Sequence, residues 1–140
     1  MAIGYLTRRI TFAAAHRYRR PEWTDAENER VFGVCARPNY HGHSYTCDVT
    51  VRGTIDERSG MLVDLGTFDR VLEERVRARF DHANINLDVP EFADGQLVPT
   101  GENLARFIFD AVQRGLGGAP SVTEVRVAED ATLSVTYRGE

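Results

Sequence analysis

The chain has 140 residues, 42% of them hydrophobic and 27% charged, the balance of a soluble globular protein read as one domain over residues 1–140. A net charge of −4 without any dense basic run argues against a general nucleic-acid binder, and no apolar stretch approaches the ~20 residues that span a bilayer. All 17 basic residues are arginine, which excludes Schiff-base lysine and P-loop lysine chemistry.

Met1 to Arg9 lacks the apolar run of a signal peptide, so a cytoplasmic location is expected. The 2 cysteines, Cys35 and Cys47, are too few for a disulfide framework in such a compartment. A domain of this size buries a modest fraction of its surface, and oligomerisation would help it.

Tyr5 to Ala15 reads as a strand with Ile10, Phe12 and Ala14 on one face, and His16 shares their parity. Arg17 to Val34 is polar and reads as a long loop, with a helical turn near Ala26 to Val31. His41 to Gly53 is a second strand, whose residues His41, His43, Tyr45, Cys47, Val49 and Val51 point one way. Thr54 to Gly60 is a turn, and Met61 to Val63 are expected to continue the sheet briefly. Asp64 is a candidate N-cap for a helix over Leu65 to Phe80, with Leu65, Phe68, Leu72, Val76 and Phe80 as its apolar stripe. Asp81 to Val98 is a connection containing Pro90. Pro99 and Thr100 open a second helix, with Leu104, Phe107, Ile108, Ala111 and Val112 inward and Gly115 to Gly118 at its end. Strands near Val122 to Glu129 and Thr132 to Tyr137 close the chain. The order ββααββ predicts an α+β fold, a four-stranded antiparallel sheet with two helices on one face.

The 4 histidines are the most telling residues. His41 and His43, two apart on a strand, project their imidazoles to the same side, and Gly42 between them admits another chain or a ligand. His16 has the same inward parity on the neighbouring strand. Three neutral imidazoles suit zinc and leave a fourth position open, as catalytic sites do. The plainer reading is a polar pocket in which the rings only hydrogen-bond.

Cys35 lies in a loop near Arg37, where a metal and a guanidinium would favour thiolate; it also reads as a loop cysteine at a core edge. Cys47 faces the core. Asp81 next to His82 can set a histidine's tautomer and stabilise its protonated form, or can be a plain helix-end pair. Glu129 shares parity with Val125 and Val127, so its carboxylate ends an apolar face and needs a partner, such as the N–H pair of a heterocycle, unless it is an exposed strand end. Thr100 reads as a helix N-cap and Glu102 as a first-turn acid.

Taken in order, these residues resemble the 6-pyruvoyl-tetrahydropterin synthase and 6-carboxy-tetrahydropterin synthase family over nearly the whole length. The resemblance is carried by Phe12-Ala13-Ala14-Ala15-His16, Phe32-Gly33-Val34-Cys35, and Cys35 through His43 (CARPNYHGH). Gly60 through Leu65 (GMLVDL), Phe80 through Asn86 (FDHANIN), Pro99 through Asn103 (PTGEN), Glu129 and Tyr137 through Glu140 complete it. It implies the tunnelling fold, or T-fold, whose trimers close a barrel from antiparallel sheets and stack as a hexamer with active sites between subunits. It also implies zinc on His16, His41 and His43, and Cys35 as general base. Asp81 and His82 are implied as relay partners reaching in from a different subunit, and Glu129 as pterin anchor with Thr100 and Glu102 lining its pocket.

The implied activity is that of a lyase acting on 7,8-dihydroneopterin triphosphate. Arg17, Arg19, Arg20 and Arg37 are candidates for holding the triphosphate, since arginine forks match phosphate oxygens; otherwise they are a solvated basic loop. Cys35 and His41 stand farther apart than the carboxy branch of queuosine synthesis usually has them, and the loop from His16 to Cys35 is long; both favour the pyruvoyl branch. The run Pro99-Thr100-Gly101-Glu102 leans toward the carboxy branch. A non-catalytic zinc or pterin-binding module is the reading from another class, and Cys35 with the Asp81-His82 pair argues against it.

Overall fold

Alternation of apolar and polar residues builds the two long strands, β1 (Ile3–His16) and β2 (His41–Thr54). They pair antiparallel along their whole length, with His16 opposite His41, Ala14 opposite His43 and Phe12 opposite Tyr45. The structure, a computed structural model, describes all residues from Met1 to Glu140. On the outward face, Arg9 forks onto Asp48, its register partner, at 2.8 and 3.1 Å, and the Thr7 and Thr50 hydroxyls meet at 2.7 Å. Such cross-strand pairs hold the register from the solvent side while the apolar parity holds it from the core side.

The sheet has five strands in the order β3-β1-β2-β4-β5, with β3 (Ala83–Asn84), β4 (Ser121–Asp130) and β5 (Leu133–Tyr137). Four are antiparallel, as the pattern predicts. The fifth, β3, is a two-residue parallel pairing of Ala83 with Ala14 and of Asn84 with Ala15, too short for any periodicity to reveal. Met61 to Val63 do not continue the sheet: Met61 caps a turn by accepting from the Asp56 N–H, and the Leu62 carbonyl packs against Gly53 instead of pairing.

The helical elements are α1 (Asp25–Phe32), α2 (Leu65–Leu72), α3 (Ala78–Phe80), α4 (Ile85–Asp88) and α5 (Gly101–Leu116). A π-helical stretch, Glu73–Arg77, joins α2 to α3, so the helix expected over residues 65–80 is continuous but locally widened. The Asp64 carboxylate caps it by accepting from the Thr67 N–H at 3.0 Å, and the Thr100 hydroxyl caps α5 by accepting from the Asn103 N–H at 3.2 Å. Of the expected stripe, Phe68, Leu72, Val76 and Phe80 are buried, whereas Leu65 in the first turn lies beyond the core edge and is 41% exposed. Gly115 serves contact rather than helix termination, since a side chain there would collide with Val71 of α2; Gly117, at φ 79°, ends α5.

α2 and α5 cover one face of the sheet, where a single cluster of 21 buried residues forms the core. Phe12 stacks on Tyr45 with ring centroids 5.0 Å apart and on Phe80 at 5.5 Å. This aromatic floor lies beneath the end of β1 and the start of β2, where the histidines are.

Candidate active site

His16, His41 and His43 converge where β1 ends and β2 begins, and their ligand-capable nitrogens all lie within 4.8 Å of one another. The reason is the register: His16 faces His41 across the ladder, and His43 comes two residues later on the same side. His16 is fully buried, and its Nδ1–H donates to the Pro99 carbonyl at 2.8 Å, which leaves the Nε2 lone pair free. The Tyr45 hydroxyl lies beneath the same ring, 3.1 Å from Nδ1. His43 Nε2 is buried without any hydrogen-bond partner.

Burial, with the neighbouring His41 and His43, pushes the His16 pKa down from 6.5 to about 4, although the Pro99 carbonyl opposes this. His41 is also lowered, by burial first. Neutral imidazoles with free lone pairs, one of them otherwise orphaned, fit a metal ion, so this group could hold one. A depressed histidine pKa contributes stability that is complete above the unfolded value and is lost as pH falls through the folded one. Chelator-treated protein is therefore expected to lose thermal stability between about pH 6.5 and about pH 4; a melting temperature flat across that window would contradict it.

Glu129 stands beside the cluster. It occupies the irregularity in the β4-β5 register between Ala128 and Asp130, a bulge at the end of the apolar face, and its side chain is 11% exposed. Its carboxylate is 3.7 Å from His43 Nε2 and 4.0 Å from His16 Nε2, and it accepts from the Tyr18 hydroxyl at 2.9 Å. A cleft of about 250 Å³ opens on its other side, lined by Tyr18, Glu102, Glu129, Leu133 and Ser134 among others. Thr100 is spent on capping α5 and does not line this cleft.

Cys35 lies in a 3₁₀ turn, Gly33–Ala36, between α1 and β2 and is half-buried. The Cys35 carbonyl accepts from the Tyr18 N–H at 2.8 Å, which ties the turn to the segment after His16. Burial first, then the Glu129 carboxylate, pushes the Cys35 thiol above its ordinary range. Arg37 is exposed and is not among the groups acting on the thiol, so the guanidinium expected to favour thiolate does not do so within this chain. Cys47 is fully buried in the core.

Asp81 and His82 do touch, at 3.0 Å. Asp81 also accepts from the Ala13 N–H and from Arg77, each at 3.0 Å, and its pKa is lowered chiefly by the Ala13 N–H. His82, at φ 59° and with its side chain 83% exposed, borders an open groove with Ala13, Gly42 and Ser44. No hydrogen bond or ion pair joins the pair to Cys35 or Glu129 of the same chain. A side chain at Gly42 would meet only the Ala14 carbonyl at 3.5 Å, an ordinary contact, so packing within the chain does not require that glycine.

The arginines separate. Arg17, Arg19 and Arg37 line one cavity of about 550 Å³, together with Asp25, Glu29 and Asp94. Arg17 donates to the Ala36 carbonyl at 2.6 Å, and Arg19 pairs with Asp94 at 3.3 Å. Arg20 pairs with Glu22 and the Gln96 carbonyl and does not line that cavity.

Two buried asparagines that no pattern singles out shape the site. Asn86 accepts from the Arg17 N–H at 2.9 Å and donates to the Arg17 carbonyl at 3.0 Å, clamping the chain just after His16. Asn28 does the same for Arg20, at 2.7 and 3.0 Å. A side chain that completes backbone hydrogen bonding leaves no periodic mark, although Asn86 does fall within the run quoted for the resemblance. Asn86→Ala orphans two buried backbone groups and is expected to cost about 2–3 kcal/mol, read as a lower urea midpoint with unchanged slope.

The family profile described as 6-pyruvoyl tetrahydropterin synthase matches residues 5–140. The 6-pyruvoyl tetrahydrobiopterin synthase of Poecilia reticulata is 43% identical over 138 residues, 99% of this chain and 92% of that protein. That of Drosophila melanogaster is 40% identical over 137 residues, 98% of this chain and 80% of that one. The 6-carboxy-5,6,7,8-tetrahydropterin synthase of Bacillus subtilis is 36% identical over 111 residues, 76% of this chain and 71% of that one. Among solved structures, Caenorhabditis elegans 6-pyruvoyl tetrahydropterin synthase superposes with a TM-score of 0.93 at 33% identity, covering 100% of this chain and 98% of that one. The tunnelling fold expected from the resemblance is the fold observed. With the profile spanning nearly the whole chain and the fold shared end to end, the chain belongs to the 6-pyruvoyl tetrahydropterin synthase family.

Proposed function

We propose that the chain is a zinc-dependent lyase that converts 7,8-dihydroneopterin triphosphate to 6-pyruvoyl-tetrahydropterin with elimination of triphosphate. The observation that carries this is Glu129, a carboxylate set between three convergent imidazoles and a cleft. The most extensive matches, to proteins named for the pyruvoyl product, favour that branch over the carboxy one.

His16, His41 and His43 would hold the zinc, which when bound supplies Lewis acidity to the hydroxyls of the substrate side chain. Glu129 accepts two hydrogen bonds from the N–H edge of the pterin and sets its orientation. Glu102 lines the same cleft. Cys35 takes a proton from the side chain, and His82, oriented by Asp81, returns one. The ring gains the two hydrogens that the side chain gives up, so no external reductant is needed, and triphosphate leaves with the C–O electron pair. Arg17, Arg19 and Arg37 share a cavity next to the Cys35 turn and are the better placed of the four candidate triphosphate ligands. Arg20 is the least, since it does not line that cavity.

The His82 ring is turned to solvent and not into its own chain's cleft, which supports a relay donated by a neighbouring subunit. The sheet leaves the outer edge of β5 unpaired and β1 paired on its outer side only at Ala14 and Ala15, edges that a trimeric barrel would cover. The family resemblance extends this to a hexamer of two such trimers. No helix is long and apolar enough to cross a membrane, and with two free cysteines this fits a cytoplasmic enzyme.

The test is to incubate zinc-loaded protein, without any reductase, with 7,8-dihydroneopterin triphosphate and to identify products by mass spectrometry. Pyruvoyl-tetrahydropterin with triphosphate is expected. Carboxy-tetrahydropterin with acetaldehyde would move the chain to the deazapurine branch, and no turnover would leave a binding module.

A further inference from the structure

Tyr18 lies just beyond β1, two residues past His16, where strand parity no longer applies. Its hydroxyl is the one group that donates a hydrogen bond to Glu129, at 2.9 Å to Oε1. The Glu129 carboxylate faces two ways. Toward the cleft it can take the N–H groups of a heterocycle, because each oxygen keeps a lone pair. Toward the histidines, Oε2 is 3.7 Å from His43 Nε2, an atom with no hydrogen-bond partner of its own. Oε1 is 4.0 Å from His16 Nε2. Carboxylate oxygens bind zinc at about 2.0–2.2 Å, and imidazole nitrogens at about the same distance. A side-chain rotation would therefore bring Glu129 onto a metal held by the three imidazoles, filling the position a catalytic site keeps open.

The phenol ring is held in place by its neighbours. It packs edge-on against His16 with centroids 5.0 Å apart and against Phe32 at 5.8 Å, and Phe32 in turn stacks on Trp23 at 5.8 Å. Its backbone N–H is bonded to the Cys35 carbonyl.

We propose that Tyr18 is a positioning residue whose hydroxyl holds the Glu129 carboxylate in the cleft and out of the coordination sphere of the metal bound by His16, His41 and His43. The inference rests on the reading of Glu129 as pterin anchor and of the three histidines as a metal site. One hydroxyl then keeps substrate recognition and metal binding from competing for the same carboxylate.

Tyr18→Phe keeps the ring and its packing and removes only the donor. Full-length wild type, Tyr18→Phe, Glu129→Gln and the double variant would be loaded with Co²⁺. Two quantities would be read: the visible spectrum, which reports the coordination shell, and the calorimetric affinity for pterin without a side chain. Tyr18→Phe is expected to weaken pterin binding about tenfold or more and to change the cobalt spectrum. The double variant is expected to return the spectrum to that of Glu129→Gln, which itself matches wild type. Unchanged pterin affinity in Tyr18→Phe overturns the proposal. So does weakened affinity with an unchanged spectrum, which would leave Tyr18 a cleft contact only. If wild type takes up no cobalt, or Glu129→Gln binds pterin as wild type does, the underlying reading falls, and the proposal with it.

Discussion

His41→Ala is expected to strip the protein of its metal and its activity while leaving the fold standing. His41 sits at the mouth of the cluster, half-buried and outside the core, with its ring centroid 4.6 Å from that of His16. Removing it leaves two imidazoles. Loss of a mere outer partner of a metal ligand typically costs about 10–100-fold in affinity, so loss of a ligand should exceed about 100-fold. A Lewis acid supplying several kcal/mol to the reaction corresponds to a fall in turnover of at least about 1000-fold. Stability measured on chelator-treated protein should change by less than about 0.5 kcal/mol, because no buried contact of the core is lost. Competition titration against a chelator, with turnover measured in parallel, checks this. Retained metal and retained activity would remove the metal reading. His16→Ala is the poorer test, since His16 is fully buried and bonded to Pro99, so its loss would disturb folding as well.

Cys35→Ala is expected to lower kcat by about 100- to 10,000-fold, the range for one positioned base, with metal content and pterin affinity near wild type. The geometry makes these effects separable. Cys35 is not part of the group of imidazoles close enough to share an ion, so its loss removes no ligand. It is also not among the residues lining the cleft beside Glu129, so its loss leaves the orientation of the ring alone. An unchanged kcat would return Cys35 to a structural role at the edge of the core. A fall in metal content would mean that the thiol reaches the ion in solution. Cys35→Ser should recover little, because burial and the Glu129 charge already oppose the thiolate and an alkoxide is far harder to form.

Much of the site was legible because it lies on strands. On β2, residues of one parity must share a face, so His41 and His43 point with Tyr45, Cys47 and Val49 toward the core. His16 continues the parity of Phe12 and Ala14, and pairing the two strands suffices to bring the rings together. Both long helices announce their starts through Asp64 and Thr100, side chains whose oxygens satisfy free N–H groups at a helix end. Glu129 shows itself as a carboxylate ending an apolar face. For Cys35 and the Asp81-His82 pair, residue patterns left plain readings open, and only the resemblance assigned them roles.

By itself, the sequence determined the class of fold, the strand parities, the helix starts and the convergence of the histidines, because each follows from the repeat of a strand or helix or from a cap within one turn. The tertiary structure alone decided what depends on contacts between distant segments. Met61 to Val63 look like a strand but find Gly53 and a turn instead of a partner. Ala83 and Asn84 pair with β1 because the end of α3 delivers them there. Asn86 reaches Arg17, and Tyr18 reaches Glu129 across 111 positions of chain. Which arginines are free and which are paired was settled the same way. Periodicity records the direction of a side chain relative to its own backbone, whereas these assignments depend on what another part of the chain brings within about 3 Å of it.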